Sequence, residues 1–249
     1  MEWEIVHIAE TDSTNHWLRE YGGDEDQVVV TDYQTAGCGQ GSNSWESERG
    51  KNLLFSILYH PHQILANQQF SISRAISLAI ADALGEQIGD VSIKWPNDIY
   101  WRNGKIGGIL IENRLSGQII KESIIGVGIN VNQQHFHSDA PNPVSLWQIH
   151  GYVTDREGLL HTILNKFSEY VNQEVKERYV AKLYRRKGFH PYCDKEGAFM
   201  AELKDVADDG HLLLGDESGK KRRYAFKEVK WEIPLTPQGE RVNDTTFRG

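Results

Sequence analysis

Residues 70–88 place Phe70, Ile72, Ile76, Ala79, Ile80, Ala83, Leu84 and Ile88 at helical spacing, which predicts a long amphipathic helix. A second stripe, Leu160, Ile163, Leu164, Phe167 and Val171, follows Thr154-Asp155-Arg156-Glu157. The T-x-x-E spacing fits a capping box, so this helix is expected to start at Thr154 and run past Val175. The turn residues Thr11-Asp12-Ser13-Thr14-Asn15 predict the start of a shorter helix carrying Trp17 and Leu18. Between the helices, β-branched runs predict strands at 27–33 (QVVVTDY), 53–59 (LLFSILY), 91–94, 106–112 and 119–131.

Beyond about residue 188 the pattern shortens. Runs at 198–207, 211–214, 222–226 and 228–233 are separated by the turn signals Asp208-Asp209-Gly210 and 216–219. The expectation is a main domain at 1–187, a small SH3-like β domain at 188–235 and a polar, flexible tail at 236–249.

Composition changes this picture little. The 249 residues are 39% hydrophobic and 25% charged, as in ordinary water-soluble domains, and no apolar run approaches the length of a bilayer span. The first ten residues lack the basic flank and cleavage site of a secretory signal. Cys38 and Cys193 lie far apart without metal-site spacing, so a reduced, cytoplasmic setting is expected. A net charge of −8 argues against broad nucleic-acid binding. One local exception is Lys220-Lys221-Arg222-Arg223 with Lys227 and Lys230: a solvated strand face, or a docking site for an acidic partner.

The candidate chemistry begins at 35–45, TAGCGQGSNSW. It has no Gly-Lys-Ser/Thr of a phosphate-binding P-loop, and a strand rather than a helix follows, which rejects a dinucleotide fold. Two readings remain. The loop could order around an anionic or planar ligand, with Trp45 as a stacking face, or it could be a surface loop that Trp45 anchors in the core. In Lys94-Trp95-Pro96-Asn97-Asp98 the lysine falls at a strand end, either offering a positive charge to a carboxylate or phosphate or simply facing solvent beside a turn. Gly107-Gly108 in KIGGILIE and Gly126-Val127-Gly128 in GVGINVN mark close approaches to strands, and Asn130 can both donate and accept.

In order, DSTN, YQTAG-x-G, KWPND, GK-x-GGILIE and GVGINVN resemble the biotin protein ligases that modify acetyl-CoA carboxylase, over about residues 11–132. The resemblance implies an α+β fold: a mixed-sheet catalytic domain of the class II synthetase-like biotin/lipoate ligase type with a small C-terminal SH3-like barrel. It implies activation of biotin by ATP and Mg²⁺ to biotinyl-5′-AMP, then transfer to a lysine of a biotin carboxyl carrier domain. By the same resemblance Ser13, Thr14, Asn15 and Gln34 hold biotin's ureido ring, and the backbone of Gly37, Cys38, Gly39 and Gln40 closes over it. Lys94 bridges the biotin carboxylate and α-phosphate as the catalytic cation. Trp45, Asn52, Lys105, Gly107, Gly108 and Asn130 fall on the ATP side, and no metal ligands are identified. A lipoate ligase and a non-enzymatic biotin or adenylate sensor are the rival readings; KWPND with GGILIE favours biotin, and Lys94 with the nucleotide-side motifs favours an enzyme. DSTN begins only twelve residues in, leaving no room for the DNA-binding domain of some relatives, so the expected chain is monofunctional, a monomer or homodimer, binding neither DNA nor membrane. Two departures stand out: the family's Gly-Arg-Gly-Arg is here Gly37-Cys38-Gly39-Gln40, and Asn43 replaces another common arginine. The expected consequence is weaker retention of the adenylate. Cys38 does not match the acyl-accepting cysteine of octanoyl transferases.

Overall fold

The computed structural model describes residues 3–41, 43–137 and 142–232. A seven-stranded mixed sheet runs in the order β1 (Glu4–Ile8), β2 (Gln27–Thr31), β3 (Leu53–Tyr59), β7 (Ile119–Ile129), β6 (Gly104–Ser116), β5 (Asp98–Trp101), β4 (Val91–Lys94). Only β1 and β2 pair in parallel; every other neighbour is antiparallel. The continuous apolar runs of β2 and β3 follow from cover on both faces. Val28, Val30, Phe55 and Ile57 point into a core with α2 (Phe70–Ile88) and α4 (Arg156–Tyr170). Val29 and Leu58 face the other way, onto Leu18 of α1 (Thr14–Tyr21). Side chains alternate along a strand, so this second face also receives Ser56, Gly126, Gly128, Gly108 and Leu110, and that is where the site lies.

The α2 helix and strands β3 and β4 match their expected limits residue for residue. The second long helix does not. Asp155 is its N-cap, accepting from Glu157 N at 3.0 Å, while Thr154 is buried and exchanges hydrogen bonds with Asn132 instead. It ends at Tyr170, and a separate short α5 (Lys176–Ala181) follows. Several elements fall where no strand or helix is predicted, among them β1, β5, which turns back from β4 after Pro96, α3 (Leu146–His150) and β8 (Phe189–Asp194). Strand β6 is longer than expected because it pairs with β7 as a hairpin out to Ser116 and Ile119.

A second, antiparallel sheet of five strands has the order β11 (Lys221–Tyr224), β10 (Leu212–Asp216), β9 (Gly197–Val206), β8 (Phe189–Asp194), β12 (Val229–Trp231). It forms the expected small β unit. Its apolar residues Tyr192, Ala201, Leu203 and Leu214 belong to the same core as α2 and the main sheet. Two polar ties reinforce that seam. The buried Arg74 of α2 donates to Ala207 O at 2.9 Å and Asp208 Oδ1 at 3.0 Å, and Trp95 Nε1 donates to Gly210 O at 2.8 Å. The expected tail at 236–249 lies outside the described residues. No helix among the described residues is long and apolar enough to cross a membrane.

Candidate active site

A cavity of about 140 Å³ opens on this second face of the main sheet, beside the start of α1. One end is polar. Gln34 Oε1 accepts from Thr14 N at 2.8 Å and Thr14 Oγ1 at 3.1 Å. Ser56 Oγ lies 2.7 Å from both Thr14 Oγ1 and Asn15 Oδ1, and Asn15 Nδ2 donates to Glu112 Oε2 at 2.8 Å. These contacts fix rotamers at the start of α1, so Thr14, Asn15 and Gln34, with Ser13 beside them, line this end of the cavity with hydroxyls and amides. Ser56 escaped sequence reasoning. Its signal was there, as the lone polar side chain in the fully buried run LLFSILY.

The glycine loop is more structured than a flexible connector. Gly39 N donates to Asn43 O at 2.7 Å and Trp45 N to Gly37 O at 2.8 Å, so the segment folds back as a narrow hairpin with Cys38 bridged to Ser44. Cys38, Gly39 and Gln40 wall the cavity, whereas Gly37 is buried against the backbone of Trp45. The Trp45 indole lies on the strand glycines. A Cβ on Gly128 would stand 2.5 Å from Trp45 Cε2, and one on Gly108 would stand 3.1 Å from Cζ3. Both earlier readings of Trp45 thus meet in one residue: it anchors the loop, and it also lines the cavity.

The opposite end is charged. The β4–β5 hairpin, held to β6 by Asn97 Nδ2 donating to Ile109 O at 2.7 Å, projects Asp98 into the wall. Asp98 Oδ1 lies 2.6 Å from Lys105 Nζ and Oδ2 lies 3.5 Å from Lys94 Nζ. Lys105 and Gly108 line the cavity; Lys94 does not, and touches it only through Asp98. Burial pushes the Lys94 ammonium below the usual lysine range, with Asp98 opposing and Lys105 adding to the fall. Of the two lysines, Lys105 stands on the cavity wall and Lys94 lies behind Asp98. Asp98, the last residue of KWPND, is the member that joins them.

The remaining residues expected on the nucleotide side are set back from the cavity. Asn52 is wholly buried, accepting from Val131 N at 3.0 Å and donating to Gln133 Oε1 at 2.6 Å. Asn130 is buried and donates to Val144 O at 3.1 Å and Lys105 O at 3.4 Å, so it supports the Lys105 backbone rather than facing the cavity. Gly107 is buried in the strand pairing beneath Gly108. A second cavity of about 300 Å³ shares Gln40, Asn97, Ile109 and Leu110 with the first and is completed by Gly210, His211 and Phe226 of the small sheet unit.

Residues 8–130 match the model of the biotin/lipoate A/B protein ligase family. The chain is 31% identical over 241 residues to the bifunctional ligase/repressor BirA of Bacillus subtilis, covering 88% of this chain and 70% of that protein. It is 31% identical over 232 residues to the biotin–[acetyl-CoA-carboxylase] ligase of Paracoccus denitrificans, covering 86% of this chain and 95% of that one. The biotin protein ligase of Aquifex aeolicus, solved with biotin and ATP, superposes with a TM-score of 0.77 at 26% identity, over 93% of this chain and 99% of the other. A cavity with a polar pocket at one end and a lysine–aspartate–lysine cluster at the other, under a glycine hairpin, is built here on that shared fold: the chain belongs to the biotin protein ligases of the biotin/lipoate A/B protein ligase family.

Proposed function

We propose that this chain is an ATP-dependent biotin ligase: it joins biotin to ATP as biotinyl-5′-AMP with release of pyrophosphate, then transfers the biotinyl group to a lysine of a carrier domain. The observation that carries the reading is the cavity itself, with the Thr14–Gln34–Asn15 pocket at one end and Lys105, fixed by Asp98, at the other.

The ureido ring of biotin suits the polar end, where neutral donors and acceptors alternate. Its valeryl chain then runs beside Ile109 and Leu110 toward Lys105. In the first step a carboxylate oxygen of biotin attacks the α-phosphorus, and the bond to the β-phosphate oxygen breaks. Both reactants are anions, so positioning and charge neutralisation supply the catalysis, and no enzyme nucleophile is needed. Lys105 is the ammonium placed to bring the two together. Lys94 holds Asp98 from the other side, keeping the carboxylate aimed at Lys105. Trp45 offers a flat face on the nucleotide side. In the second step the carrier lysine, as free amine, attacks the acyl carbon and AMP leaves.

Among the described residues no group of three or more His, Cys, Asp or Glu could hold a metal, and Asp98 is already engaged by two lysines. These residues do not form a Mg²⁺ cage; we assign the ion to the nucleotide's own phosphates. We further read residues 1–187 as the catalytic unit and 188–235 as the small domain, in a cytoplasmic protein whose partner is the biotin carboxyl carrier domain of a carboxylase.

The test is pyrophosphate release with ATP and either biotin or lipoate, followed by mass measurement of a purified carrier domain. Biotin-dependent release and a single biotinyl addition are expected. Release with lipoate only would make the chain a lipoate ligase, and tight biotin binding without release would make it a sensor.

A further inference from the structure

The basic segment after residue 220 divides in two once its partners are known. Arg222 is engaged by Asp216 at 3.0 Å and Asp194 at 3.3 Å, and Arg223 pairs with Asp209. Lys227 makes no ion pair with any described carboxylate. It sits on the 225–228 turn that joins β11 to β12. That turn is locked by Glu228 Oε2 accepting from Ala225 N at 2.8 Å and by Glu228 N donating to Ala225 O at 3.2 Å.

Two features of Lys227 stand apart from an ordinary surface lysine. Its φ is +68°, a left-handed conformation that glycine adopts freely and a lysine rarely does. The chain keeps a long cationic side chain where the backbone favours none. That side chain also goes somewhere definite: Nζ reaches the tip of the glycine hairpin, 2.7 Å from where a Cβ on Gly41 would stand. Gly41 itself has φ +70°, and a side chain there would collide with the ammonium. The hairpin it reaches carries no cation of its own at Cys38, Gln40 or Asn43. The neighbouring Phe226 and the loop's Gln40 wall the same second cavity, which adjoins the first.

We propose that Lys227 is a binding cation lent by the small domain to the glycine hairpin, engaging the phosphates of ATP and of the adenylate and holding the hairpin down over them. The proposal rests on the ligase reading above and adds a residue from outside the catalytic sheet. It also reverses the expectation of a leaky intermediate: the charge missing from the loop arrives from another part of the chain.

The experiment compares the wild-type chain with Lys227→Met, which keeps the stem and removes the charge, and Lys227→Arg, which restores it. ATP binding is measured by calorimetry, which needs no turnover, and release of radiolabelled biotinyl-adenylate is followed after gel filtration. The Met variant is expected to bind ATP about tenfold more weakly and to release adenylate about tenfold faster, as for loss of one charge-assisted contact. Biotin affinity and melting temperature should stay unchanged, Lys227→Arg should recover most of the effect, and the difference should shrink in high salt. Equal ATP affinity and equal release in wild type and Met variant would overturn it, as would a loss that Arg fails to rescue. Wild-type protein that shows Lys227-dependent ATP binding yet forms no adenylate would instead overturn the ligase reading alone.

Discussion

Lys105 Nζ lies 2.6 Å from Asp98 Oδ1, and the other oxygen of the same carboxylate faces Lys94 Nζ at 3.5 Å. One acid thus orders two bases, of which only the first lines the ligand cavity. The three substitutions should separate cleanly. Lys105→Ala is expected to slow biotin-dependent pyrophosphate release by about 10²–10³-fold, the usual cost of losing one preorganised charge-stabilising group. Lys94→Ala and Asp98→Asn should lose less, by loosening Lys105 rather than removing it. Single-turnover kinetics on the three variants give the order, and a Lys94→Ala defect as large as that of Lys105→Ala would return the primary role to Lys94.

Gly128→Ala should displace Trp45. The added methyl would stand 2.5 Å from Cε2, well inside contact distance, with the strand backbone unable to yield far. The expected result is a folded protein with altered tryptophan fluorescence and a raised KM for ATP, while biotin affinity changes little. Unaltered fluorescence would mean that Trp45 does not rest on the strand.

Asn52→Ala tests whether this residue serves the ligand or the fold. Both its amide atoms are used inside, so removal strands the Val131 N–H, while Gln133 Oε1 keeps Glu48 N as a donor. A loss of about 1–3 kcal/mol in denaturant unfolding is expected, the cost of a stranded buried group. The KM for ATP of the folded fraction should be close to that of wild type.

Acid should weaken the small sheet unit over a definite range. Asp216 is held down to about 2 from an ordinary 3.8, first by the Ser218 hydroxyl and then by Arg222. A carboxylate depressed in the folded state stabilises it fully above its unfolded pKa, and that contribution is lost as pH falls toward the folded value. Unfolding midpoints should therefore drop between pH 3.8 and about 2, and Asp216→Asn should flatten that part of the profile while lowering stability at neutral pH.

Much of this molecule could be read from its residues because burial was uniform along them. The α2 helix and β3 are covered on every side that matters, so their apolar pattern runs cleanly to both ends. Legibility failed where a local signal was overruled by pairing at a distance. Pro96 reads as a strand stop, yet β5 begins two residues later because Asn97 and Asp98 pair with β6. Pro191 likewise masked β8; it falls one residue beyond the β12 register, which starts at Tyr192. Thr154 looked like a cap because its partner Asn132 is twenty-two positions away. At the site, residue type pointed to the polar pocket at 13–15 and 34. It could not rank two lysines whose difference is the side of Asp98 on which each one lies.

The ties between Trp95 and Gly210 and between Arg74 and Ala207 carry a mechanical consequence. Trp95 belongs to the same hairpin that aims Asp98, so the back of the catalytic wall is bolted to the small sheet unit. The footing of Asp98 between Lys105 and Lys94 is thereby shared between two sheets, one that carries the lysines and one that braces the turn from behind.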